Sequence, residues 1–177
     1  MKQSFACCLR MNRLAGSTPV LLIMLLCVAL DQATKWLAKK YLAPDGFISF
    51  AGDIFRLQYA ENTGAFLGLG SSLPQSWRHI VFTVFVGLFL MALLAYVLFN
   101  RTLPSACLAY LALVCGGGLS NLIDRIAYDG RVVDFFNLGI GQVRTGIFNV
   151  ADMAITAGAV LLAVDSLKRK PQERSVA

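Results

Sequence analysis

Between Ile80 and Phe99 the chain carries no charged side chain, and about 20 apolar residues in succession are what an α-helix needs to cross the hydrocarbon core of a bilayer. Backbone N–H and C=O groups find no water there, so such a run must satisfy its own hydrogen bonds as a helix. Three other runs share this character. One begins near Pro19, stays apolar through Leu30 and keeps helical spacing through Asp31, Lys35 and Trp36; another extends from Ser105 to Ile123; the last goes from Phe148 to Leu167. The expected architecture is a membrane all-α bundle of four transmembrane helices, over about 19–42, 80–99, 105–124 and 148–167, forming a single integral membrane domain over 1–177. Composition supports it: 57% of the 177 residues are hydrophobic and 15% charged, against roughly a quarter charged in ordinary soluble domains.

The 16 Lys plus Arg against 10 Asp plus Glu give a net charge of +6. The only basic cluster is Lys168-Arg169-Lys170, beside an apolar span, so the excess is read as a topology signal and no nucleic-acid partner is expected. Lys2, Arg10 and Arg13 precede the first span, Arg101 joins the second to the third, and Lys168, Arg169, Lys170 and Arg174 follow the fourth. With four spans these segments share one side, which the positive-inside rule makes cytoplasmic. The first apolar run leads directly into Asp31-Gln32-Ala33-Thr34-Lys35 without a small-residue cleavage site, so it is read as an uncleaved span. No apolar stretch precedes Cys7 or Cys8, which excludes a lipobox there. The five cysteines give no disulfide framework. A single histidine, His79, with no CxxC or HExxH spacing, gives no zinc site, and no metal or other cofactor is expected.

The two remaining connections, about 43–78 and 126–147, fall on the outer side. In Ile54-Phe55-Arg56-Leu57-Gln58-Tyr59 polar and apolar residues alternate with the period of a half-buried strand, and Arg131-Val132-Val133-Asp134-Phe135-Phe136 also reads as extended. A small extracytoplasmic β-containing cap is expected, with bends at Gly64, Gly68 and Gly70.

Ionisable residues inside apolar spans are costly and point to function. Asp31 and Lys35 close the first span, Asn121, Asp124 and Arg125 the third, and Asn149 and Asp152 open the fourth. In an up-and-down bundle these places share one face of the membrane. Each set has the spacing of three or four that shares a helix face. Asn62 precedes the second span on the same side, and Asp134 lies in the short outer connection before Asp152. The plain alternative is interfacial: caps, snorkelling cations and amide bonds between spans. It fits Asp165, near the inner end, and it fits an Asp31–Lys35 ion pair holding a helix end as well as a functional role does.

As catalysts, the choices are few. His79 sits between Arg78 and Ile80 with no Ser or Cys motif around it. Gly116-Gly117-Gly118 lacks the Lys-Ser/Thr of a phosphate loop, and its place in a span fits close helix packing. Paired carboxylates remain. Two aspartates held together cannot both ionise easily, so one keeps a proton while the other acts as base, and such a pair can drive water onto a peptide carbonyl without a metal. The residues alone leave the partner of Asp152 open between Asp134 and Asp124. A proton or cation carrier would need acidic groups spread through the bilayer depth, whereas here they gather at one end. A purely structural subunit gives no reason for both Asp134 and Asp152.

The motifs Asp31-Gln-Ala-Thr-Lys35, Asn62-Thr-Gly-Ala, Asn121-Leu-Ile-Asp124-Arg125, Val132-Val-Asp134-Phe and Phe148-Asn-Val-Ala-Asp152, in this order and spacing, resemble those of lipoprotein signal peptidase, the bacterial signal peptidase II. The resemblance implies an aspartic endopeptidase of the inner membrane, four spans with both termini cytoplasmic, and an active site at the outer face. It implies a reaction that removes the signal peptide of a prolipoprotein before its diacylglyceryl-modified cysteine. It makes Asp134 and Asp152 the catalytic pair. Asn121, Asp124, Arg125 and Asn149 match positions that shape the site, and Asp31, Lys35, Asn62 and Gly64 match further polar positions of the pocket. Two positions depart from the pattern: Ser120 stands before Asn121 where glycine is usual, and Phe66 follows Ala65 where a second alanine is usual. The expected partners are lipidated prolipoproteins and membrane lipids, with the chain acting as a monomer.

Overall fold

A computed structural model describes residues 2–42, 46–64, 70, 72–100 and 102–168, with side chains from residue 18 onward. Arg101, Arg169, Lys170, Arg174, Phe66 and Gly68 lie outside the described residues, as do the side chains of Lys2, Cys7, Cys8, Arg10 and Arg13. Four described helices are long and apolar enough to cross a membrane. Helix α1 is Lys2–Tyr41, with Thr18–Tyr41 as its membrane-length part; α2 is Gln75–Phe99, α3 Ser105–Ala127 and α4 Val150–Lys168. The expected start near Pro19 therefore marks where the apolar part of α1 begins, not where the helix does. Helix α2 starts before the expected Ile80, directly after Pro74, and takes Arg78 and His79 into its first turns. It winds as a π-helix over Ile80–Phe85.

Helix α3 packs against the other three, and its glycine triplet explains how. Successive residues on a helix point about 100° apart, so Gly116, Gly117 and Gly118 face three different neighbours. A Cβ on Gly116 would stand 2.9 Å from Cys27 Cβ of α1, one on Gly117 2.5 Å from the Ala151 carbonyl of α4, and one on Gly118 2.6 Å from Leu90 of α2. Val20, Met24, Val97, Ala112 and Cys115 form a buried apolar cluster inside the bundle. Phe85, Leu88, Phe89 and Met91 instead face outward, the inversion expected where the solvent is hydrocarbon.

One end of the bundle carries an antiparallel sheet of order β1-β2-β3-β4: β1 Phe47–Phe50, β2 Phe55–Asn62, β3 Val132–Ile140 and β4 Val143–Arg144. Both expected extended stretches are strands, and each runs further than expected. The short β1 and β4 carry too few residues for a period-2 pattern to reveal them. Ala51, Gly52 and Asp53 turn the chain between β1 and β2 with φ of 53°, 66° and 74°. Asp53 repays the strain of its own backbone by gathering the cap: it accepts from Ser49 at 2.8 Å and from Arg56, and Arg144 donates to its carbonyl at 2.7 Å. The bonds from Arg56 and Ser49 hold its carboxyl below the ordinary carboxylate range. The sheet seats on the bundle through Phe135, packed with Ala38 of α1, with Leu42 just beyond its end and with Val150 of α4. Phe136 and Phe148 exchange backbone bonds at 2.7 and 2.8 Å. That link brings Asp134 of β3 beside the start of α4.

Candidate active site

Helix α4 opens with a reciprocal cap. The backbone N–H of Asp152 donates to Asn149 Oδ1 at 2.9 Å, and the N–H of Asn149 donates back to Asp152 Oδ2 at 3.3 Å, the arrangement of a capping box. The free N–H of Ala151 donates to Asp31 Oδ1 at 2.8 Å, so a carboxylate from α1 satisfies another of the donors that a helix start leaves open. Asp152 is thereby fixed in place by the helix it begins.

Asp134 pairs with Ala60 in the β2–β3 register, next to an irregularity between Leu57 and Ala60. Its two oxygens accept from Asn149 Nδ2 at 2.6 Å and from Asn62 Nδ2 at 2.9 Å. Asn149 therefore touches both aspartates. Asn121 does similar work from α3: its Nδ2 donates to Asp152 Oδ1 at 2.9 Å, while its Oδ1 accepts from Asn149 Nδ2 at 3.1 Å and from Lys35 Nζ at 2.8 Å. Burial pushes the Asp134 carboxyl up to about 7, with Asp152 adding to the rise; the amides of Asn62 and Asn149 and the Lys35 ammonium act in the opposite direction.

Behind this pair lies a second, closed network. Lys35 Nζ reaches Asp31 Oδ2 at 2.6 Å and Asp124 Oδ2 at 2.9 Å. Asp124 also accepts from Gln32 Nε2 at 2.8 Å and from the Val133 N–H at 3.1 Å. Ser120 Oγ donates to Asp31 Oδ2 at 2.8 Å and accepts from Gln32 at 3.0 Å. The serine that departs from the expected glycine is thus fully engaged. Asp124 and Asp134 are each 1% exposed and Asp31 is completely buried; Lys35 pairs the charges of Asp31 and Asp124, while Asp134 is held by two amides.

All ten residues singled out in the sequence gather at this end of the bundle, but on two levels. Asn62, Asn121, Arg125, Asp134 and Asp152 line a cavity of about 450 Å³ together with apolar residues that include Phe82, Val86, Ile155 and Val160. Arg125 Nη2 donates to the Gly64 carbonyl at 2.8 Å, and the Gly64 N–H donates to Asn62 Oδ1 at 2.8 Å, which ties the chain after β2 to the rim. Asp31, Lys35 and Asp124 do not line the cavity; they stand behind it. Sequence reasoning missed Gln32, Ser120 and Phe82. The first two carried a signal, since each lies within four residues of a chosen position on the same helix. The π-turn that carries Phe82 had none. His79 lines a separate cavity of about 310 Å³ with Arg78 and Asp129, and none of the site's aspartates borders it.

A family model described as Signal peptidase (SPase) II matches residues 23–168. The chain is 40% identical over 161 residues to the lipoprotein signal peptidase of Pelodictyon phaeoclathratiforme, covering 85% of this chain and 91% of that one. It is 38% identical to the lipoprotein signal peptidase of Moorella thermoacetica, covering 81% and 89%. Among solved structures it is similar to a bacterial membrane enzyme determined by the in meso method at 2.3 Å resolution, with a TM-score of 0.75, 25% identity, and coverage of 90% of this chain and 94% of that one.

Proposed function

This chain belongs to the signal peptidase II family and cleaves signal peptides from prolipoproteins, and from that premise we propose that it does so as an aspartic endopeptidase with Asp134 and Asp152 as the catalytic pair. The observation that carries this reading is that Asp134 and Asp152 both line one cavity and are linked through Asn149 and Asn121. Asp124, the other candidate from the sequence, has its carboxylate engaged by Lys35, Gln32 and Val133 and stands away from the cavity.

The chemistry follows from a pair that shares one proton. The ionised carboxylate takes a proton from water as its oxygen attacks the scissile carbonyl carbon, and the protonated partner donates to the carbonyl oxygen. Collapse of the tetrahedral intermediate breaks the C–N bond: the departing amine takes up the proton held by one aspartate while a hydroxyl of the intermediate returns a proton to the other, which restores the singly protonated pair. The bond cut is the one before a cysteine bearing a diacylglyceryl group. Each buried methylene holds such a substrate in the bilayer by about 0.8 kcal/mol, so the scissile bond has to be met at membrane level. The apolar wall of Phe82, Val86, Ile155 and Val160 suits the acyl chains or the apolar signal segment.

Both termini on the cytoplasmic side of an inner membrane, with the sheet and cavity at the outer face, agree with the basic residues at the sequence ends and with the site lying at the sheet end of the bundle. The reading is tested by offering the purified enzyme the same prolipoprotein with and without its diacylglyceryl group. Cleavage that depends on the lipid is the expected result, and equal cleavage of both forms contradicts the substrate assignment.

A further inference from the structure

Lys35 touches neither aspartate of the proposed catalytic pair, yet its surroundings connect it to them. Its ammonium group is buried and makes three short contacts: Asp31 Oδ2 at 2.6 Å, Asp124 Oδ2 at 2.9 Å and Asn121 Oδ1 at 2.8 Å. An ion pair that only locked α1 to α3 would not need the third. A side-chain amide has an acceptor end and a donor end of nearly equal size, and its neighbours decide which way it faces. Asn121 Oδ1 is held between Lys35 Nζ and Asn149 Nδ2, which leaves its Nδ2 directed at Asp152 Oδ1. Turned over, the amide would set its NH2 against an ammonium and a second NH2, and its oxygen against a carboxylate. Three attractive contacts would become three repulsive ones.

We infer that Lys35 is a positioning residue for the hydrolysis: by fixing the direction of the Asn121 amide, it keeps a hydrogen-bond donor on Asp152. This rests on the reading of Asp134 and Asp152 as the catalytic pair. Asp31 completes the arrangement, since the carboxylate that pairs with Lys35 also holds the Ala151 N–H and so the first turn of α4. Lys35 pairs with Asp31 on its own helix and Asp124 on α3 and acts on Asp152 of α4 and Asp134 of β3, and Arg125 of α3 is the second cation facing these carboxylates. Four carboxylates against two cations make the ammonium important to any ionisation of the pair. Its removal makes that ionisation harder, so the acid limb of the pH–rate profile moves to higher pH.

The test compares purified Lys35→Gln and Lys35→Arg chains with the unaltered enzyme, Asp134→Asn and Asp152→Asn, each checked for folding by thermal unfolding and then assayed for prolipoprotein cleavage across pH. Loss of a hydrogen bond involving a charged group predicts that folded Lys35→Gln has a kcat about tenfold lower, with KM little changed. Its acid limb lies at higher pH, and Lys35→Arg, which keeps the charge, returns that limb toward its original position. Unchanged kcat and pH profile in folded Lys35→Gln overturn the inference, as does a loss confined to KM with the limb unmoved. Where Lys35→Gln does not fold, pairing it with Asp124→Asn removes a buried carboxylate left without its cation. A folded double variant with the original kcat and acid limb overturns the inference equally. Normal cleavage by Asp134→Asn or Asp152→Asn instead removes the catalytic reading itself, and the role of Lys35 with it.

Discussion

The amides of Asn121 and Asn149 meet at 3.1 Å, and each reaches an aspartate of the cavity: Asn121 donates to Asp152 at 2.9 Å and Asn149 to Asp134 at 2.6 Å. A residue of α3 and the residue that caps α4 thus set the separation and orientation of two carboxylates, one from a strand and one from a helix. This bridge makes the role of Asn149 divisible. Its oxygen caps α4, and its NH2 serves Asp134.

Asn149→Asp keeps the oxygen and loses the donor, whereas Asn149→Ala loses both. The alanine variant is expected to lose about 1 kcal/mol of stability from the cap as well as most of its activity. The aspartate variant is expected to keep the cap and still lose activity. Thermal unfolding beside a cleavage assay separates the two.

The raised Asp134 carboxyl has a signed consequence for stability. Its folded value of about 7 lies above the unfolded carboxylate value, so between roughly pH 4 and pH 7 the folded chain binds more protons than the unfolded one, and stability falls as pH rises through that window. Asp134→Asn is expected to flatten this decline, so that its melting temperature relative to the unaltered chain is higher at pH 8 than at pH 5. Cleavage is expected to fall on the alkaline side, where the pair loses its last proton. Melting curves and pH–rate profiles check both.

The glycine triplet yields an ordered prediction. A Cβ at position 117 meets the Ala151 backbone carbonyl at 2.5 Å, whereas one at 118 meets the flexible side chain of Leu90 at 2.6 Å. Gly117→Ala has to push α3 from α4 and separate Asn121 from Asp152. Overpacking of this kind costs about 1–3 kcal/mol. Gly118→Ala is expected to cost less in both stability and turnover, as measured by thermal unfolding and kcat.

Ser120→Gly restores the residue that the family resemblance leads one to expect, yet here it removes a donor from the completely buried Asp31. A loss of about 1–3 kcal/mol is expected, with KM little changed because Ser120 does not line the cavity. A gain in melting temperature would show that the serine is not engaged as described.

Much of this was legible in the sequence because apolar runs and costly polar residues leave strong marks. The four spans followed from the length and apolarity of four runs, and the convergence of Asp31, Asn121, Asp124, Asn149 and Asp152 followed from an up-and-down bundle. Two features were not legible for physical reasons. The residues alone left Asp124 and Asp134 open, and only the family resemblance favoured Asp134; that the Lys35 network engages Asp124 depends on contacts across three elements. The strands β1 and β4 are four and two residues long, too short for alternation to declare them. Lys35 was legible as an ion-pair partner of Asp31, but its hold on Asn121 needed the packing of α1 on α3.

The central claim is that Asp134 and Asp152 perform the hydrolysis together. The most direct measurement is the cleavage rate of a diacylglyceryl-modified prolipoprotein by purified Asp134→Asn and Asp152→Asn, each shown to be folded by its melting curve. Near-complete loss of cleavage in both folded variants is the expected result; cleavage at the unaltered rate by either one contradicts the account.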